Sequence, residues 1–131
     1  MELDCLFVYG TLLKDSNHEM ARFLEAHSEC LGNGYFFGKL YMVSWYPGAV
    51  LSKNTSEKVH GKIFKLHDAN AVFEVLDNYE GAGDNQPKPN LYKKALVTSY
   101  LEGGIAMKTW IYLYNLSTSN LEQITSGKFF E

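Results

Sequence analysis

Two short segments carry residue types that could do chemistry. The first is Leu76-Asp77-Asn78-Tyr79-Glu80-Gly81. Gly81 is a helix stop, so Glu80 falls at the negative end of a helix dipole, which favours the protonated carboxyl. Partial burial among rings would push its pKa the same way. A carboxyl raised toward neutrality suits a general acid or base; the competing reading is a solvated glutamate at a helix end. The second segment is Tyr9-Gly10-Thr11-Leu12, where an apolar run gives way to a loop. Gly10 admits a backbone geometry or close approach that a Cβ would block. The amides that follow have no ladder partner and can form a nest for a carboxylate or phosphate. The competing reading here is an ordinary strand-to-helix turn.

Other candidate motifs fail on spacing. Gly32-Asn33-Gly34-Tyr35-Phe36-Phe37-Gly38 resembles a dinucleotide fingerprint, but its third glycine is one position late and it precedes a strand. His18, His27, His60 and His67 show no metal-ligand spacing, and no metal site is expected. Cys5 lies within an apolar run and reads as a small packed hydrophobe rather than a nucleophile.

The elements that must position these segments follow from periodicity. Leu3 to Tyr9 reads as a buried strand. Ser16 or Asn17 can cap a helix whose face is Met20, Phe23, Leu24, His27 and Leu31, with Gly32 and Gly34 ending it. Tyr35 to Val43 is a strand, Tyr46-Pro47-Gly48 a turn, and Ala49 to Leu51 a short strand. Lys58 to Leu66 is another strand. Asp68 caps a second helix with Ala71, Val72, Val75, Leu76 and Tyr79 on its buried side. A polar loop runs from Gly81 to Asn90. Tyr92 to Leu101 and Ile105 to Tyr114 form a hairpin around Glu102-Gly103-Gly104, and the tail from Leu116 is at most weakly helical. Helices and strands do not alternate regularly, which argues for an α+β domain with a mixed, barrel-like sheet.

Length and composition bound the rest. A chain of 131 residues fits one domain, spanning 1–131. Aromatics make up 15%, which predicts a core or pocket lined by rings. A net charge of −3 without a basic stripe argues against nucleic acid as a partner. No apolar run reaches the roughly 20 residues of a membrane helix. The acidic start, Met1-Glu2-Leu3-Asp4, and the unpaired spacing of Cys5 and Cys30 lead to the expectation of a reduced, cytoplasmic protein.

The order of these motifs resembles the γ-glutamylcyclotransferase-like family, including its γ-glutamylamine cyclotransferase and small bacterial-type branches. Leu6-Phe7-Val8-Tyr9-Gly10-Thr11-Leu12 is similar to the family's N-terminal signature, with Asn17-His18 after it. Tyr46-Pro47-Gly48 is similar to a turn near the pocket. Leu76 to Gly81 is similar to the segment bearing the catalytic glutamate. Tyr92 with its basic followers and Trp110-Ile111-Tyr112 fit the closing hairpin, and Ile124-Thr125-Ser126-Gly127 fits the tail. The resemblance implies a small mixed β-barrel of five to six strands with flanking helices. It implies Glu80 as the catalytic acid/base and a substrate pocket formed by Tyr9, Gly10, Thr11, Leu12, Gly48 and Tyr112. The implied substrate is a small γ-glutamyl amine or amide, the implied product 5-oxoproline, and no metal or organic cofactor takes part. A monomer or weak homodimer is expected. One position departs: where members often carry Arg two residues after the tyrosine matched by Tyr92, this chain has Lys94. Lysine keeps the charge but loses the planar fork. A non-catalytic carboxylate-binding module on the same fold is the alternative function.

Overall fold

The structure is a computed structural model that describes residues 4–9, 19–43, 47–54, 56–80 and 92–128, leaving out the side chains of 19–21 and 78–80. Seven strands and two helices are assigned among these residues. They are β1 (Cys5–Val8), α1 (Glu19–Ala26), β2 (Ser28–Met42), β3 (Pro47–Leu51), β4 (Lys58–Leu66), α2 (Ala69–Glu80), β5 (Tyr92–Leu101), β6 (Ala106–Tyr114) and β7 (Glu122–Gln123).

Five strands close into a mixed barrel. The path runs β2-β4-β1-β6-β5 and returns from β5 to β2, where Gly34 faces Leu101 and Tyr35 faces Tyr100. The β1–β6 pair is parallel, with Leu6 opposite Trp110; the other pairs are antiparallel. The two remaining strands, β3 and β7, pair with the far end of β2. Closure requires a glycine at the seam. A Cβ on Gly34 would stand 2.7 Å from the Tyr100 carbonyl oxygen and 3.1 Å from Ile63, so no larger residue lets β2 and β5 meet at that distance.

Strand alternation divides the apolar residues into two layers. One fills the barrel: Phe7, Phe36, Leu40, Val59, Ile63, Val97, Ile111 and Leu113, with Phe7 and Phe36 edge to face at 5.2 Å. Its buried polar pair, Ser99 and Thr109, is joined hydroxyl to hydroxyl at 2.8 Å. The other layer lies between the barrel wall and the helices. It comprises Leu6, Val8, Leu24, Leu66, Val72, Phe73, Leu76, Tyr92, Tyr112 and Tyr114.

The two helices differ from their sequence reading. α1 stops at Ala26, and Leu31 belongs to β2 rather than to the helix face. The edge of β4 captures this segment: Ser28 pairs with Leu66, and the ladder steps through a bulge between Cys30 and Gly32, whose φ is +139°. Gly32 thus bends a strand instead of ending a helix. In α2, Asp68 acts as expected, its carboxylate accepting the Ala71 amide at 3.3 Å. The buried face is Val72, Phe73 and Leu76, however, while Ala71 and Val75 are exposed. Phe73 turns inward because β5 and β6 offer it Lys94 and Trp110. Pro47 and Gly48 are not a turn but the first residues of β3, and Pro47 takes the strand-start position where its missing N–H costs no ladder bond. The tail forms β7 rather than helix.

Candidate functional site

Tyr9 follows β1 directly and precedes the Gly10-Thr11-Leu12 segment, which itself lies outside the described residues. The tyrosine is only 6% exposed, so its hydroxyl must find partners inside the protein. It donates to the Tyr112 carbonyl at 2.6 Å and accepts the Ala49 amide at 3.2 Å. One side chain thereby ties the end of β1 to β6 and β3. A second tyrosine reinforces this corner: the Tyr92 hydroxyl donates to the Pro47 carbonyl at 2.5 Å. Gly48 sits between these two anchors. A Cβ there would fall 2.8 Å from the Tyr114 Cβ and 2.9 Å from Val43, so glycine is what lets β3 lie against β6.

The opposite edge of the site is the end of α2. Glu80 is its last residue, and its side chain lies outside the description. One turn earlier, Asp77 is held from two sides. Its Oδ1 accepts the Tyr112 hydroxyl at 2.6 Å, and its Oδ2 accepts the Lys94 ammonium at 3.2 Å. Lys94 is itself set over the Phe73 ring, 4.1 Å from its centre, and 5.6 Å from the centre of Trp110. Lys94 is therefore part of a packed wall of cation, rings and carboxylate.

Tyr112 is the residue shared by both edges. Its carbonyl accepts from the Tyr9 hydroxyl, at the threshold of the Gly10–Leu12 segment, and its own hydroxyl donates to Asp77, one turn before Glu80. Of the sequence-derived site residues, Tyr9, Gly48 and Tyr112 are brought together at one corner of the barrel. Sequence reasoning overlooked Asp77, although the signal was present: it lies three residues before Glu80, on the same helical face, with a basic cluster at Lys93 and Lys94 able to reach it.

Other features fall elsewhere. A cavity of ≈ 240 Å³ lined by Lys39, Glu57, Lys58, Gln123 and Thr125, with Gly38 and Gly127, shares no residue with this corner. Among the described residues there is no cluster of His, Cys, Asp and Glu able to hold a metal, and no helix is long and apolar enough to cross a membrane.

Comparisons with known proteins agree with this architecture. Residues 6–131 match the family described as gamma-glutamyl cyclotransferase, AIG2-like, and the chain belongs to that family. No curated protein matches. Among solved structures, YkqA from Bacillus subtilis superposes with a TM-score of 0.68 at 24% identity; the match takes in 97% of this chain but 39% of YkqA. The ytfP protein of Escherichia coli aligns over 97% of this chain and 96% of its own, at 25% identity and a TM-score of 0.66. An AIG2-like protein from Mus musculus gives a TM-score of 0.68 at 17% identity, over 91% of this chain and 82% of its own.

Proposed function

We propose that this chain cyclises a small γ-glutamyl amine or amide, releasing 5-oxoproline and the free amine, with Glu80 as the acid/base. The observation that carries this reading is the double role of Tyr112, which ties the approach to Gly10–Leu12 and the last turn of α2 to the same residue. Membership of the family supports it.

In this reaction the substrate's α-amine attacks its own γ-carbonyl carbon. A new C–N bond closes the five-membered ring, and the old amide C–N bond breaks. The α-amine is largely protonated at neutral pH, with a pKa of about 8, so it must lose a proton before it attacks. Glu80 takes the proton from the attacking nitrogen and returns one to the departing nitrogen. The attack is intramolecular, so holding the extended glutamyl chain in a ring-ready conformation supplies much of the acceleration. The amides of Gly10, Thr11 and Leu12 steady the substrate carboxylate or the developing oxyanion. Tyr9, Gly48 and Tyr112 form the walls, with Gly48 letting β3 pack close against β6 beside them. No cofactor is needed.

The test is a panel of γ-glutamyl amines and dipeptides assayed for 5-oxoproline. Turnover is expected, and Glu80→Gln should lower kcat by about a hundredfold or more while the circular-dichroism spectrum stays unchanged. Turnover that survives this substitution removes Glu80 from the mechanism. Thermal stabilisation by γ-glutamyl compounds or 5-oxoproline, with no product formed, identifies a binding module instead.

A further inference from the structure

We propose that Asp77 is a positioning residue whose carboxylate, bonded at once to the Tyr112 hydroxyl and the Lys94 ammonium, clamps the last turn of α2 to β5 and β6 and so fixes where Glu80 stands. This inference rests on the reading of Glu80 as the acid/base, and extends it to a residue that touches no substrate.

The argument begins with what Asp77 should do to an isolated helix. Aspartate is a poor helix former, and a carboxylate in the last turn opposes the helix dipole. Asp77 therefore weakens α2 as a local element. Its tertiary contacts run the other way. The 2.6 Å bond from Tyr112 falls within the range of charge-assisted O–H···O⁻ bonds, which are about twice as strong as neutral ones. Lys94 adds a second bond to the other oxygen and is itself restrained by Phe73, one turn earlier on the same helix, and by Trp110 on β6. Tyr112 and Lys94 are direct partners in the β5–β6 ladder, so they present one donor each from a rigid pair of strands. The carboxylate is thus met by a fixed two-pronged receiver, and the helix end has little freedom to swing.

The position of Glu80 follows. It stands three residues beyond Asp77, on the same side of α2, at the point where the helix ends and the 81–91 segment begins. A general base must hold its carboxylate within hydrogen-bond reach of the proton it takes, and a displacement of about 1 Å can cost about a hundredfold in rate. Without the clamp, the catalytic carboxylate would sit at the fraying end of a helix of 12 residues.

The experiment uses Asp77→Ala, Tyr112→Phe, Lys94→Met and Lys94→Arg, read first by amide hydrogen exchange. Alanine is the better helix former and removes the unfavourable dipole contact, so local effects alone predict greater protection of the last turn in Asp77→Ala. The clamp predicts the opposite sign: protection of the 77–80 amides falls about tenfold, while the Asp68-capped first turn and the β2–β4 ladder are unchanged. Tyr112→Phe and Lys94→Met should each give part of this loss, and Lys94→Arg should keep wild-type protection because its fork can still meet Asp77. In turnover, Asp77→Ala should lower kcat about tenfold with KM moving less than about threefold. Unchanged or increased last-turn protection overturns the clamp. Loss spread evenly over the barrel overturns it too, since that is a general stability effect, and loss of protection with kcat intact overturns the link to Glu80. Should Glu80→Gln retain full turnover, the assignment of the base has failed, and the exchange data alone decide whether the clamp exists.

Discussion

Two sides of the barrel use aromatic residues in contrasting ways. At the corner of β3, β6 and α2, tyrosines act through their hydroxyls: Tyr9, Tyr92 and Tyr112 reach a carbonyl of β6, a carbonyl of β3 and a carboxylate of α2. At the seam of β2, β4 and β5, half-exposed rings act through their faces. Tyr35 stacks on Tyr100 with centroids 5.3 Å apart, Phe37 leans on both, and Lys58 sits 4.4 Å above the Tyr35 ring. Ring contact tolerates a few tenths of an ångström of slip, whereas a buried hydroxyl bond does not. Ring and cation contacts occur on both sides, but the tyrosine hydroxyl bonds, which demand stricter geometry, gather where the candidate site is.

The comparison breaks most readily at Tyr9. Tyr9→Phe strips a partner from both the buried Ala49 amide and the Tyr112 carbonyl, and should cost about 2–3 kcal/mol in urea unfolding. A loss below about 0.5 kcal/mol would mean the corner is not held by hydroxyls. At the seam, Tyr35→Phe keeps the ring and should change stability by no more than about 0.5 kcal/mol. An equal loss at both positions would erase the distinction.

The smallest effect concerns acid response, which belongs to the seam. His60, beside Tyr35, is held below the ordinary histidine pKa of 6.5, chiefly by burial and further by Lys128 and Lys58, with Glu102 opposing. The unfolded chain therefore takes up this proton first as pH falls. The stability tied to neutral His60 is intact above pH 6.5 and declines as pH drops below it toward the folded value. His60→Gln should flatten the fall in Tm between neutral and mildly acidic pH, with the two proteins differing little above pH 7. A His60→Gln profile parallel to the wild type would detach the seam from the acid response.

Much of this organisation was legible in the residues. β4 and β5 run over the expected spans, and the Glu102-Gly103-Gly104 hairpin turn, with φ of +102° and +96° at its glycines, was foreseeable from composition. The adjacency of Tyr9 and Tyr112, expected from the resemblance, is present as a direct hydrogen bond. The misread segments fail for identifiable reasons. The spacing of Phe23, Leu24, His27 and Leu31 fits a helix, but the open edge of β4 offers Ser28–Cys30 a ladder that local propensity cannot anticipate. Strand β7 is two residues long and has no period to detect. Asp77 carried a signal in its spacing to Glu80, but its bonds to Lys94 and Tyr112 form only after the barrel has closed.

The parallel pairing of β1 with β6 also shapes how the chain must assemble. Strand β1 has β4 on one side, but its other side waits for Trp110 of β6, so that edge stays uncovered until β6 has been made. Such long-range closure slows folding and leaves an apolar edge open to neighbouring chains in the interval. Early truncation would expose that edge permanently, and fragments ending before β6 should aggregate rather than form a smaller barrel.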